Sequence, residues 1–114
     1  MKTGIERIVA ERARQISKEG WDAAHDDEHD DGSLALAAIC YAAPERVYVK
    51  EVYAASERFS DPWPTSWNTC HDKRRYSGNV LQEPTREQYI RQLEKAGALI
   101  AAEIDRLLRL KVKE

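Results

Sequence analysis

The sequence predicts an all-α fold, namely an antiparallel bundle of three or four helices with a long Trp- and Pro-containing loop. Two capping-box patterns, Thr3 with Glu6 and Thr85 with Gln88, each precede apolar residues at helical spacing. Between them, a nearly continuous apolar segment ends at Pro44. These three features predict a single helical domain over all 114 residues.

Helices A and B have recognisable ends. Helix A follows Thr3 and continues to Gly20, because glycine is typical of a helix C-terminus. Ser33 can cap helix B, which continues until Pro44. Helix B is apolar on nearly all sides, so we expect it to be the central element of the core.

The segment that follows Pro44 permits two interpretations. Pro44 suits the first turn of a third helix, where its missing N–H removes no intrahelical hydrogen bond. Val47, Val49 and Val52 are β-branched, and they would also suit a short strand. We take the helix as the working prediction and keep the strand as the alternative.

Helix D begins after Thr85 and carries one apolar stripe over about six turns. Gly97 lies in its middle, where glycine costs about 1 kcal/mol relative to alanine. Another helix that approaches closely at this point would explain that cost. We expect the approaching helix to be helix B.

Composition restricts the function classes. The net charge is -2 and the pI is about 5.9, and no basic face of the size that duplex nucleic acid requires is visible. The longest apolar run, residues 34–43, is about half of what a membrane-spanning helix needs. Two cysteines without a disulfide pattern fit a reducing compartment. We therefore expect a cytoplasmic protein that binds neither membranes nor duplex nucleic acid.

Residues 20–32, which we call the acid/His segment, contain six acids and two of the three histidines. These side chains could hold a divalent cation, either Mg²⁺ through carboxylates or Zn²⁺ through imidazoles. The candidate metal ligands are His25, Asp26, Asp27 and His29. In the alternative interpretation, the acids complement the positive N-terminus of helix B, and His25 hydrogen-bonds a backbone group.

Residues 60–84, which we call the Trp loop, combine tryptophans, prolines and a basic run. Indoles stack on bases and guanidinium groups pair with phosphate oxygens, so this composition suits a nucleotide-like ligand. The candidate ligand-binding residues are Trp21, Trp63, Trp67, Arg74 and Arg75. In the alternative interpretation, Trp63 and Trp67 cover the core and the basic run is merely solvated.

Three stretches of the chain carry a family resemblance. They are Gly20-Trp21 with His25-Asp26-Asp27, His29 and Cys40-Tyr41-Ala42, then Pro62-Trp63-Pro64 with Trp67, and finally the helical segment 95–107. With these motifs the chain resembles small phage and prophage proteins of uncharacterised function. The resemblance implies a phage-type origin and the cytoplasm of a host cell, and it brings no activity or catalytic residues.

A second resemblance follows from the order of an Arg-rich helix, then Trp, His and Asp, then an Ala-rich helix. In this order the chain is similar to the MazG-like all-α nucleotide pyrophosphohydrolases. That resemblance implies helical carboxylates that hold Mg²⁺ beside a nucleoside triphosphate. Helix B departs from it, since no acid lies between Ser33 and Pro44, where that family's paired glutamates would lie.

Three functional hypotheses follow. The leading one is a phage-type accessory protein that binds a nucleotide-like small molecule between the acid/His segment and the Trp loop, with or without a divalent cation. The second is an interaction module that blocks a host or phage protein through its tryptophans. The third is a weak metal-dependent nucleotide pyrophosphohydrolase that activates water at Asp26 or Asp27. We favour a non-enzyme, assign no catalytic residue and leave a homo-oligomer open.

Overall fold

The computed structural model describes residues 1–45, 47–67, 76–77, 80–81 and 84–110. Within these residues lie four helices: α1 (Gly4–Glu19), α2 (Ala23–Asp27), α3 (Ser33–Ala42) and α4 (Arg86–Arg109). Two antiparallel strand pairs accompany them: β1 (Val49–Tyr53) with β2 (Ser56–Ser60), and β3 (Tyr76–Ser77) with β4 (Val80–Leu81). The prediction of an all-α fold is therefore wrong, because the chain combines helices with small antiparallel sheets.

The two predicted capping boxes are confirmed. The Thr3 hydroxyl accepts from the Glu6 backbone N–H, and the Glu6 carboxylate accepts from the Thr3 N–H. Thr85 and Gln88 exchange the same pair of hydrogen bonds at the start of α4. Gly20 ends α1 in the left-handed conformation, with φ at 73°. These ends are set locally, since each cap satisfies backbone groups within one turn.

Helix α3 begins one residue earlier than predicted. Gly32 is the cap residue, with φ at 80°, and Ser33 is already the first helical residue. The Asp31 carboxylate accepts from the Ser33 backbone N–H at 3.1 Å. The Ser33 cap is therefore wrong, because a left-handed glycine and the preceding aspartate together serve the helix N-terminus.

The core lies between α3 and α4. Its buried cluster consists of Leu34, Ala37, Ala38, Tyr41, Ala96, Leu99 and Ala102. Most of these side chains are small, which permits the two helices to pack closely. The prediction that helix B belongs to the core is confirmed, but the central element is α4, which contacts α1, α2 and α3.

Helix α4 packs on two sides, against α3 and against α1. The apolar stripe predicted for helix D is only partly buried. Ile100 and Ile104, which belong to it, keep 48% and 51% of their surface exposed. The face with Ala98 and Ala102 is buried instead. Among the described residues, no helix combines the length and the apolarity that a membrane span requires.

Gly97 marks the crossing of α4 with α1. A Cβ atom built at Gly97 would lie 2.6 Å from Cδ1 and 2.8 Å from Cγ1 of Ile8. The close approach predicted at Gly97 is present, but the expectation that helix B makes it is wrong. Helix α1 occupies that side of α4, and α3 packs on another.

The segment after Pro44 contains a hairpin and not the predicted third helix. Residues 44–45 bend, and β1 then pairs with β2 from Val49 opposite Ser60 to Tyr53 opposite Ser56. The strand alternative was the correct one, because β-branched residues pack well on a pleated surface. Val52 and Phe59 remain 71% and 62% exposed on this hairpin.

We expect Gly97→Ala to destabilise the protein by about 1–3 kcal/mol, since the added methyl group must displace Ile8 from a packed contact. This is the net effect, because the cost of displacing Ile8 exceeds the gain of about 1 kcal/mol that alanine has over glycine in helix propensity. Urea unfolding measures the difference in the free energy of unfolding between the variant and the parent. Gly4→Ala is the control, because a Cβ at Gly4 meets nothing within 4 Å. A Gly97→Ala protein more stable than the parent would contradict the close crossing.

Candidate functional site

A cleft of about 440 Å³ lies between α1, α3 and α4 and is bordered by Trp67. Its volume falls within the roughly 300–1,000 Å³ that is typical of small-molecule sites. Aromatic and basic side chains dominate its lining: Trp21, Tyr41, Trp67, Arg14, Arg91 and Lys95. Two acids, Glu11 and Glu19, also line it, so the cleft combines flat apolar surfaces with three cations and two carboxylates.

Glu11 orients the basic wall of this cleft. Its side chain is 1% exposed and receives hydrogen bonds from Arg14 at 2.8 and 3.0 Å, and Arg91 lies 2.7 Å from it. Burial alone would raise the pKa of Glu11, but the hydrogen bonds from Arg14 and Arg91 outweigh it and hold the pKa below its ordinary value of 4.5. Glu11 is therefore ionised at neutral pH, and it links a guanidinium of α1 to one of α4.

The aromatic wall is continuous with the hydrophobic core. The ring centroids of Trp21 and Trp67 lie 6.1 Å apart. Trp63 stands edge-on to both Trp67 and Tyr41, at 5.6 Å in each case. All three tryptophans pack against the core cluster. Trp21 and Trp67 thus line the cleft, and Trp63 supports Trp67 from behind.

Arg12 fastens the acid/His segment to α1. Asp26, on α2, is fully buried and forms an ion pair with Arg12. The Arg12 guanidinium also donates to the backbone carbonyl of Trp21 at 3.1 Å. One side chain therefore fixes both the turn after α1 and the helix that follows it.

His25 lies on α2 and His29 lies two residues after its end, and both contact the aromatic wall. The His25 ring is stacked on Trp21 at 5.6 Å with an interplanar angle of 6°, and the His29 ring lies 5.4 Å from Trp67. Nε2 of His25 lies 3.4 Å from Nε2 of His29. Burial, and then the neighbouring His25, lower the pKa of His29 in spite of nearby acids. The structure thus brings the histidines together with Trp21 and Trp67.

The remaining predicted site residues lie elsewhere or outside the described part of the chain. Asp27 is 51% exposed and pairs with Arg109 of α4 at 2.8 Å, away from Asp26 and its partner. Arg74 and Arg75 fall outside the described residues. Within the described ranges, no three His, Cys, Asp or Glu side chains are grouped so that they could hold a metal ion.

Sequence reasoning missed Glu11, Arg14, Arg91 and Lys95. Glu11 carried no local signal, because it lies on the polar side of a helix that is expected to face water, and its burial is visible only in the structure. Arg91 carried no such signal either, because its contact with Glu11 joins helices that are far apart in sequence.

No protein-family model matches this sequence, and neither does any curated protein or solved structure.

We expect Glu11→Gln to lower the free energy of unfolding at pH 7 by about 1–3 kcal/mol, because two arginines lose their charged acceptor. The lowered pKa of Glu11 stabilises the fold above pH 4.5, and this contribution is lost as the pH falls through the folded-state pKa. Urea unfolding at several pH values should therefore show the gap between parent and variant narrowing in acid.

The control is Glu19→Gln, which removes a more exposed partner of Arg14 and should change stability by less than about 1 kcal/mol. The role of Glu11 would be contradicted if both variants lost the same free energy of unfolding relative to the parent, or if the loss in Glu11→Gln stayed constant down to pH 3.

Proposed function

We propose that this protein binds a small ligand of the nucleotide type, with a flat aromatic part and an anionic part, in the cleft bordered by Trp67. The observation that supports this most is that Trp21 and Trp67 line one concave space together with basic side chains of α1 and α4. Concave sites with apolar walls and a few polar groups are where proteins hold small ligands.

The aromatic part of the ligand would lie against the indoles. Trp21 and Trp67 are tilted by 57° to each other, so a planar base can stack on one ring and meet the edge of the other. Trp63 packs behind Trp67 and restrains it. Such an aromatic wall loses little side-chain entropy when a ligand binds.

The anionic part of the ligand would meet the guanidinium groups that Glu11 orients. Arg14 and Arg91 keep 37% and 41% of their side chains exposed although both contact the buried Glu11. Arg14 also donates to Glu19, and Arg91 also donates to Glu94. A guanidinium has five N–H donors, so each arginine retains N–H groups for a phosphate after these contacts are made. Lys95, 5.5 Å from the ring of Tyr41, adds a third cation to the same cleft. These residues take the role that the sequence assigned to Arg74 and Arg75.

The two other functional hypotheses have less support. An interaction module needs exposed indoles, whereas Trp63 and Trp67 pack against the core. A metal-dependent hydrolase needs a carboxylate for the metal, whereas Asp26 and Asp27 are each paired with an arginine. The phage-type origin, the host cytoplasm, the divalent cation and a homo-oligomer stay predictions from the sequence.

Isothermal titration of the full chain tests the proposal with adenosine, ribose 5-phosphate, AMP, ATP and cyclic nucleotides, with and without Mg²⁺. At least one nucleotide should bind more tightly than both the nucleoside and the sugar phosphate, because the cleft offers partners for base and phosphate together. Flat traces for every nucleotide would refute the proposal.

The matched variants are Arg91→Gln and Arg86→Gln, which lie on the same helix. Arg91 contacts Glu11 in the cleft, whereas Arg86 is 81% exposed and pairs with its neighbour Glu87. We expect Arg91→Gln to weaken nucleotide binding at least tenfold, about 1.4 kcal/mol, and Arg86→Gln to leave it unchanged. Equal effects would mean that binding reflects general charge and not the cleft.

A further inference from the structure

The two histidines of the acid/His segment contact each other through their Nε2 atoms. Nε2 of His25 and Nε2 of His29 are 3.4 Å apart, and the ring centroids are 4.7 Å apart. Two imidazole nitrogens bound to one tetrahedral Zn²⁺ at about 2.0–2.1 Å would be about 3.3–3.4 Å apart. The separation of the two nitrogens therefore matches that of neighbouring ligands on a single ion.

Asp26 determines which nitrogen of His25 is available to bind a metal ion. Its Oδ1 lies 3.1 Å from Nδ1 of His25, and its other oxygen is paired with Arg12. Since Asp26 also accepts from the Arg12 guanidinium, it acts as the acceptor in this contact, and Nδ1 of His25 is then the donor. The lone pair of His25 is then on Nε2, the atom that faces His29. A carboxylate behind a histidine in this manner is the usual arrangement around metal-bound imidazoles.

From this geometry we propose that His25 and His29 chelate a transition-metal ion of the Zn²⁺ or Ni²⁺ type through their Nε2 atoms. Asp26 orients His25 and is not itself a ligand. Asp27 takes no part, because it is bound to Arg109 at the C-terminal end of α4. The site goes beyond the proposed ligand cleft and does not depend on it.

The donor atoms select the class of metal. Imidazole nitrogen suits Zn²⁺ and Ni²⁺, whereas Mg²⁺ requires oxygen ligands in an octahedron. The oxygens of Asp26 are occupied by Arg12 and His25. Within the part of the chain that the structure describes, no set of oxygen ligands for Mg²⁺ is grouped with these histidines, so of Mg²⁺ and Zn²⁺ the pair favours Zn²⁺.

An ion bound by the two histidines would be accessible to solvent on one side. The His25 side chain is 29% exposed, and the described residues supply two nitrogen ligands. Water or an exogenous donor would complete the coordination. Trp21 and Trp67 adjoin the two imidazoles, so a paramagnetic ion such as Ni²⁺ bound there would quench tryptophan fluorescence.

The test uses the full chain without an affinity tag. Zn²⁺ is titrated by calorimetry, and Ni²⁺ is titrated by tryptophan fluorescence. We expect saturable binding of one ion per chain, quenching by Ni²⁺, and no competition from excess Mg²⁺. His25→Gln and His29→Gln should each weaken binding at least tenfold, with the circular dichroism spectrum retained.

His71→Gln is the matched control, since it removes the third histidine of the chain and should leave the affinity unchanged. The proposal is overturned if neither ion binds, in which case the two imidazoles only hydrogen-bond each other. It is equally overturned if His25→Gln and His29→Gln bind as the parent does, if binding is lost in His71→Gln instead, or if Mg²⁺ displaces Zn²⁺.

Discussion

The arrangement of the site depends on the buried ion pair between Arg12 and Asp26. Helix α2 has only five residues, too few to be stable alone. Arg12 holds it through Asp26 and holds the preceding turn through the carbonyl of Trp21. Oδ1 of Asp26 in turn lies 3.1 Å from Nδ1 of His25, so the position of the histidine pair follows from the same contact. Removing either partner would leave an uncompensated charge in the interior.

A second buried carboxylate works beside the first. Glu11 precedes Arg12 in sequence, and successive residues of a helix point about 100° apart. Arg12 consequently faces α2, whereas Glu11 faces Arg91 of α4. Helix α1 thereby carries two polar anchors, one for the acid/His segment and one for the basic wall of the cleft. Both proposed sites share this helix while using different side chains of it.

The parts of the fold that sequence predicts well are those decided within a few residues. The caps at Thr3 and Thr85 join groups three residues apart, and their outcome needs no knowledge of the rest of the chain. Partners that are distant in sequence were beyond such reasoning. The glycine at position 97 signalled a close crossing but could not name Ile8, and the contact of Glu11 with Arg91 had no local signature. The hairpin was missed as the first choice because isolated valines fit a strand or a helix until their pairing is known.

A double-mutant cycle with Arg12→Gln and Asp26→Asn, alone and together, measures the contribution of the Arg12–Asp26 pair to stability most directly. We expect a coupling free energy of about 1.5–3 kcal/mol for this buried pair, against less than about 1 kcal/mol for the exposed pair of Arg109 and Asp27. Equal and small coupling energies for the two pairs would contradict the claim that Arg12 anchors the acid/His segment.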